Sequence, residues 1–84
     1  MSMLFEQVRE IIVELIAVEQ DQVTADAVFV DDLDADSLDM VNIYEALEKR
    51  LSKPDRVIEI TEEDTEEIET VQQLIDVLKS KGLE

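Results

Sequence analysis

Asp32-Leu33-Asp34-Ala35-Asp36-Ser37-Leu38-Asp39 sets four aspartates around one serine and passes, at Leu38, into an apolar-periodic run that reaches Leu51. That change of pattern decides the fold. Beyond it, Ile43, Leu47 and Leu51 recur at helical spacing with Met40 and Tyr44 alongside. Asp36 has the side chain of an N-cap. Asp39 at the third helical position, like the aspartates before it, is favoured by the positive end of a helix dipole. The pattern predicts a helix over 37–51 with Ser37 in its first turn. Two readings of Ser37 stay open at this point. It is either an ordinary first-turn residue or a hydroxyl displayed on a rigid helix end as a point of attachment.

Upstream, residues 19–36 keep no period. Val23, Val28, Phe29, Val30 and Leu33 are scattered among acids and amides. An irregular connection of this length is uncommon in a small domain and tends to be functional. Val28-Phe29-Val30 has strand propensity, but no partner strand is evident, so it reads as a loop pinned to the core by Phe29 and Leu33. Further upstream, Leu4, Val8, Ile11, Ile12, Leu15 and Ile16 make the apolar stripe of a helix over 3–18. Glu6, Arg9, Glu10 and Glu14 lie between them, and surface pairs among these contribute little.

Downstream, Ser52, Pro54 and Asp55 signal a turn. Thr61 and Asp64 approximate a capping box for a short helix ending near Ile68. Thr70 and Gln73 form a proper one, opening a last helix that buries Val71, Leu74, Ile75 and Leu78 and ends at Lys79, Lys81 and Gly82. The expectation is an all-α, small four-helix bundle, with three longer helices, one short third helix and a long loop between the first two. Eighty-four residues make a single domain, 1–84, with no room for a second core.

Composition removes many functions. There is no cysteine and no histidine, so disulfides, thiolate metal sites and the usual nucleophilic triads are excluded. Carboxylate pairs are inevitable with 23 acids, and no cleft is evident for glycosidase-type chemistry. No catalytic residue is assigned. The ladder Asp32, Asp34, Asp36 fails as an EF-hand, because that loop needs glycine at its sixth position and glutamate at its twelfth. Here those are Ser37 and Ile43. No specific metal site is assigned; loose divalent binding by the clustered acids would relieve charge, so magnesium should raise the melting temperature.

The net charge is −16, and 13 of the 23 acids lie in residues 1–48 with one base, Arg9. Such a field repels nucleic acid and anionic membrane and attracts basic protein surfaces. The N-terminus lacks the basic and apolar regions of a signal peptide. No run is long enough for a membrane span, so the expected location is cytoplasmic. On the second helix, Leu38 and Val41 form a stripe that continues as Glu45 and Glu48, a mixed face suited to a partner.

Asp32 to Asp39 resembles the phosphopantetheine-attachment motif of acyl carrier proteins, D-L-G-A-D-S-L-D. The likeness extends to Phe29-Val30, Ala46-Leu47-Glu48 and Glu69-Thr70-Val71-Gln72 and covers nearly the whole chain. It implies a non-enzymatic carrier whose Ser37 receives 4'-phosphopantetheine from coenzyme A through a separate phosphopantetheinyl transferase. The arm would hold acyl groups as thioesters and shuttle them between enzymes, chiefly of type II fatty-acid synthesis. It also implies a partner face of Asp36, Leu38, Asp39, Val41, Glu45 and Glu48 meeting basic patches on acyl-processing enzymes. An acyl-chain pocket is implied at Ile43, Leu47, Ile60, Thr65, Ile68, Leu74 and Ile75, in a monomer that binds neither nucleic acid nor membrane.

Four features depart from the pattern. Asp34 stands where the motif has glycine, and aspartate is one of the few residues that tolerates left-handed dihedrals. Asn42 and Lys49 replace common acids, Glu45 a common apolar residue, and the segment 52–59 is longer than usual. These departures favour the alternative of a dedicated polyketide or specialised lipid pathway. An unmodified acidic interaction module is the remaining alternative.

Overall fold

The computed structural model describes residues 3–83. It contains α1 (Met3–Ile16), a single 3-10 turn (Gln20–Gln22), α2 (Ser37–Leu51), α3 (Glu62–Glu66) and α4 (Val71–Ser80). There is no strand among the described residues, and the expected all-α bundle is what forms. The buried side chains make one cluster, centred on Val8 and Ile12 of α1, Ile43 and Leu47 of α2, and Val71, Leu74 and Leu78 of α4. The long connection adds Val23, Ala27, Phe29, Leu33 and Ala35 to it.

Local signals explain the helix ends. Thr61 Oγ1 accepts from Asp64 N and Asp64 Oδ2 accepts from Thr61 N, so the approximate box at α3 is a complete one. Thr70 and Gln73 do the same for α4. That helix ends in a Schellman motif. Gly82 N donates to Lys79 O, Leu83 N donates to Leu78 O, and Gly82 takes a φ of 97° that a side chain would disfavour. Leu83 is thereby folded back into the core.

Three expectations need correction. The first helix stops at Ile16, short of residue 18, because Ala17 turns left-handed with φ 55°. Leu15, placed on the buried stripe by its spacing, is 43% exposed; α1 closes with its last turn on the rim of the core. Arg9 makes no ion pair with Glu6. Its guanidinium lies over the Phe5 ring, 5.5 Å from the centroid, while Glu10 pairs across to Arg50 of α2 at 3.0 Å.

Residues 27–33 are a loop, as read, but a tied one. Val28 forms an isolated antiparallel bridge with Thr70. Phe29 N donates to Glu69 O and Val71 N to Ala27 O, both at 3.0 Å. The partner of the Val28-Phe29-Val30 segment is therefore the backbone at the start of α4. This pairing buries Phe29 and carries the chain back towards α2.

Candidate attachment site and acyl groove

The chain reaches Ser37 through a sharp turn. Asp34 has φ 55°, the left-handed conformation that the motif's glycine adopts without strain and that aspartate accepts at modest cost. Ala35 N donates to Phe29 O at 2.9 Å, so the turn hangs from the tied loop. Asp36 is extended, and its Oδ1 accepts from Asp39 N at 2.8 Å while Asp39 Oδ2 accepts from Asp36 N at 3.1 Å. The acids flanking the serine thus have structural work. They satisfy two of the amides that a helix start leaves without partners.

Ser37, the first residue of α2, is exposed. Its hydroxyl has no hydrogen-bond partner among the described residues. A groove of about 920 Å³ begins at it and runs along α2. Met40, Val41 and Tyr44 form one wall, Ile60, Thr65 and Ile68 the other, and Val28 and Phe29 close one side. The burial of Tyr44 pushes its hydroxyl's pKa up, so it stays neutral at the groove wall. Thr65 turns its hydroxyl to Glu62 O at 2.7 Å, leaving its methyl as the part fit for apolar contact.

Of the seven residues expected to line a pocket, Ile60, Thr65 and Ile68 border this groove. Ile43, Leu47 and Leu74 are wholly buried in the core. Ile75 is buried too and borders a separate hollow beside α1. Met40, Tyr44, Val28 and Phe29 were not singled out for the pocket. The signal for the first two was in the sequence: positions 37, 40, 41, 44 and 48 share one face of a helix.

The expected partner face is split in its exposure. Leu38 is 67% exposed and Val41 48%, and Asp36 and Glu45 are exposed. Asp39 is half-buried and engaged in the cap. Glu48 is half-buried as well, and its Oε2 accepts from Ile60 N at 2.8 Å.

Among the described residues no cluster of acids is arranged to hold a metal ion, and no helix is long and apolar enough to cross a membrane. A family model described as a phosphopantetheine attachment site matches residues 6–78. A protein described as an acyl carrier protein, from Petrotoga mobilis, is 44% identical over 78 residues, which span 93% of this chain and 86% of that protein. The chain belongs to the acyl carrier protein family, whose members bear a covalent 4'-phosphopantetheine and exchange cargo with acyl-processing enzymes. The residues present fit that group: an unengaged hydroxyl at a capped helix start, beside a groove lined by apolar side chains together with Asp31, Glu45, Glu48, Glu62 and Glu69.

Proposed function

We propose that Ser37 bears the 4'-phosphopantetheine arm and that the domain, residues 1–84, shuttles acyl groups among the enzymes of type II fatty-acid synthesis. The observation that carries the reading is the unengaged Ser37 hydroxyl on the capped first turn of α2, on the lining of the groove. The arm's terminal thiol supplies the thioester link to cargo. The chain's own residues do the rest by placement. Asp36 and Asp39 hold the serine in register, and the amide end of α2 favours a phosphodiester there. Asp34, Asp36 and Asp39 repel the same phosphate, so the arm is not clamped to the surface.

No neutral base stands beside Ser37 in a chain without histidine, so a separate transferase activates the hydroxyl, and the chain catalyses no step. Leu38 and Val41, exposed beside Asp36 and Glu45, form the face for partners with basic patches. Such pairs speed encounter more than they tighten it, which suits a monomeric cytoplasmic shuttle. The assignment to fatty-acid synthesis rests on Asp36-Ser37-Leu38 with its flanking aspartates. A dedicated polyketide or specialised lipid pathway is the second reading. It draws on exposed Asn42 and Lys49 of α2 and on the 52–59 segment, where Val57 is 79% exposed.

Incubation with coenzyme A and a broad-specificity phosphopantetheinyl transferase tests the proposal by intact mass. The expected result is a gain of one phosphopantetheine that vanishes in Ser37→Ala. No gain in the wild type, or an undiminished gain in the variant, refutes it.

A further inference from the structure

Between the turn at residues 53–56 and the cap of α3, the chain has no regular structure, and it forms one wall of the Ser37 groove through Ile60. From Val57 to Ile60, the amides that find partners find side chains. Ile58 N donates to Ser52 Oγ at 2.9 Å, and Ile60 N donates to Glu48 Oε2 at 2.8 Å. The second bond crosses from one wall of the groove to the other. Glu48 lies about three turns, ~16 Å, along α2 from Ser37, so the tie is made at the far end of the groove. Glu48 also borders the neighbouring hollow formed with Ser52, Val57 and Ile58. Glu48 therefore stands on the ridge between the two spaces.

We propose that Glu48 is a positioning residue for cargo: by accepting the Ile60 amide it fixes the wall of the Ser37 groove, and so sets how well an acyl chain is shielded there. The inference rests on the reading of Ser37 as the attachment residue. A hydrogen bond to a carboxylate is among the stronger ones available. Here it acts on a segment whose backbone has little else to hold it. Without the tie, Ile60 is free to move away from Tyr44, and the groove loses the depth that encloses an apolar chain. Reach matters more than charge in this role, since a neutral acceptor at the same place still holds the amide, more weakly, whereas a role in attracting basic partners depends on the charge.

Two conservative variants separate those requirements. Glu48→Gln keeps the length and an acceptor oxygen but loses the charge. Glu48→Asp keeps the charge and falls short of Ile60. The probes are amide hydrogen exchange at Ile60 in the apo chain, and the rise in melting temperature when an octanoyl-bearing arm, loaded from octanoyl-coenzyme A by the transferase, replaces the plain arm. In Glu48→Asp the Ile60 amide should exchange about tenfold faster, as the loss of one such bond implies, and the octanoyl-dependent rise should fall by half or more. Glu48→Gln, which keeps a weaker neutral acceptor at the same reach, should lose clearly less than Glu48→Asp in both. The proposal is overturned if Glu48→Asp leaves both readouts unchanged, or if Glu48→Gln is the more damaging variant. If intact mass shows that no arm is taken up, the Ser37 reading has failed, and Ile60 exchange in the apo chain still decides whether the tie exists.

Discussion

The two longer connections between the helices of this bundle are built on opposite plans. The first, residues 17–36, is held by backbone. Phe29, Val71 and Gln72 donate to carbonyls of Glu69, Ala27 and Ala25, each at 3.0 Å, and Val23, Ala27, Phe29, Leu33 and Ala35 are buried beneath. The second, residues 52–61, folds on itself at Lys53 and Arg56, whose backbone groups bond each other at 2.7 and 2.9 Å. Its Ser52 side chain bonds its own Ile58, it meets α2 through the Glu48 side chain, and it buries Ile58 alone. Arg56 reaches the Gly82 carbonyl only at 3.5 Å, and its Nε is buried with no partner. The first connection delivers Ser37 to a fixed place. The second forms a wall of the groove held by few bonds, Ile58 to Ser52 and Ile60 to Glu48, and so should open locally at lower cost than the first.

The contrast makes the first connection the place where substitution does most harm. Phe29→Ala removes a wholly buried ring from under the serine turn and should cost about 3–5 kcal/mol, measured by urea unfolding. That is a large share of the stability of any small domain. A loss below about 1 kcal/mol would mean that the loop does not depend on its anchor. Next comes the cap. Asp36→Ala should cost about 1 kcal/mol and should slow transfer of the arm to Ser37 in a time course followed by mass.

Damage to the second connection should be smaller in the global measurement. Ser52→Ala leaves the Ile58 amide without its acceptor, a penalty of about 1–3 kcal/mol if the segment stays in place. The observed loss is capped by whatever local opening costs, so urea unfolding should report about 1 kcal/mol or less, while Ile58 exchange quickens. A full transfer of the penalty into global stability would erase the distinction between the connections.

The ends of the first connection carry strain that can be removed. Ala17 and Asp34 both have φ 55°, and left-handed backbone costs a residue with a Cβ about 1–2 kcal/mol, part of it offset by the greater freedom of unfolded glycine. Ala17→Gly and Asp34→Gly should each raise stability by about 0.5–1 kcal/mol, read as a higher melting temperature.

The smallest effect falls at the far side of the second connection. Lys81 hydrogen-bonds Asp64 at 2.7 Å, and this, with the Thr61 amide bond, holds the Asp64 carboxyl's pKa below its usual value. A depressed carboxylate stabilises the fold above its unfolded pKa, near pH ~4, and loses that contribution as pH falls through the lower folded value. Lys81→Ala should therefore lower the melting temperature slightly at pH 7, and the difference should vanish in acid.

The helices were legible because their signals are local. The Asp36, Thr61 and Thr70 caps, the periodicity of α2 and α4, and Gly82 as a stop each act within a few residues. The tolerance of Asp34 for a left-handed turn was legible too, from its side chain and the motif's glycine. The Val28–Thr70 bridge was not, because it joins residues 42 apart through backbone atoms that carry no sequence signature. Leu15 misled because periodicity gives a helix's apolar face without saying where the core ends. Glu48 sits among exposed acids by spacing, and only the approach of Ile60 gives its carboxylate a second task. The groove wall was half visible: Met40 and Tyr44 follow from Ser37 by helical spacing, whereas Val28 and Phe29 arrive from the tied loop.

The most direct test of the division between a fixed serine platform and a yielding wall is native-state hydrogen exchange at Phe29 and Ile60 across a urea series. The prediction is that the Phe29 amide exchanges only by global unfolding, with a free energy that falls steeply with urea and matches the unfolding curve. The Ile60 amide should exchange through a local opening of lower free energy and weak urea dependence. Coincident free energies and slopes at the two amides would contradict it.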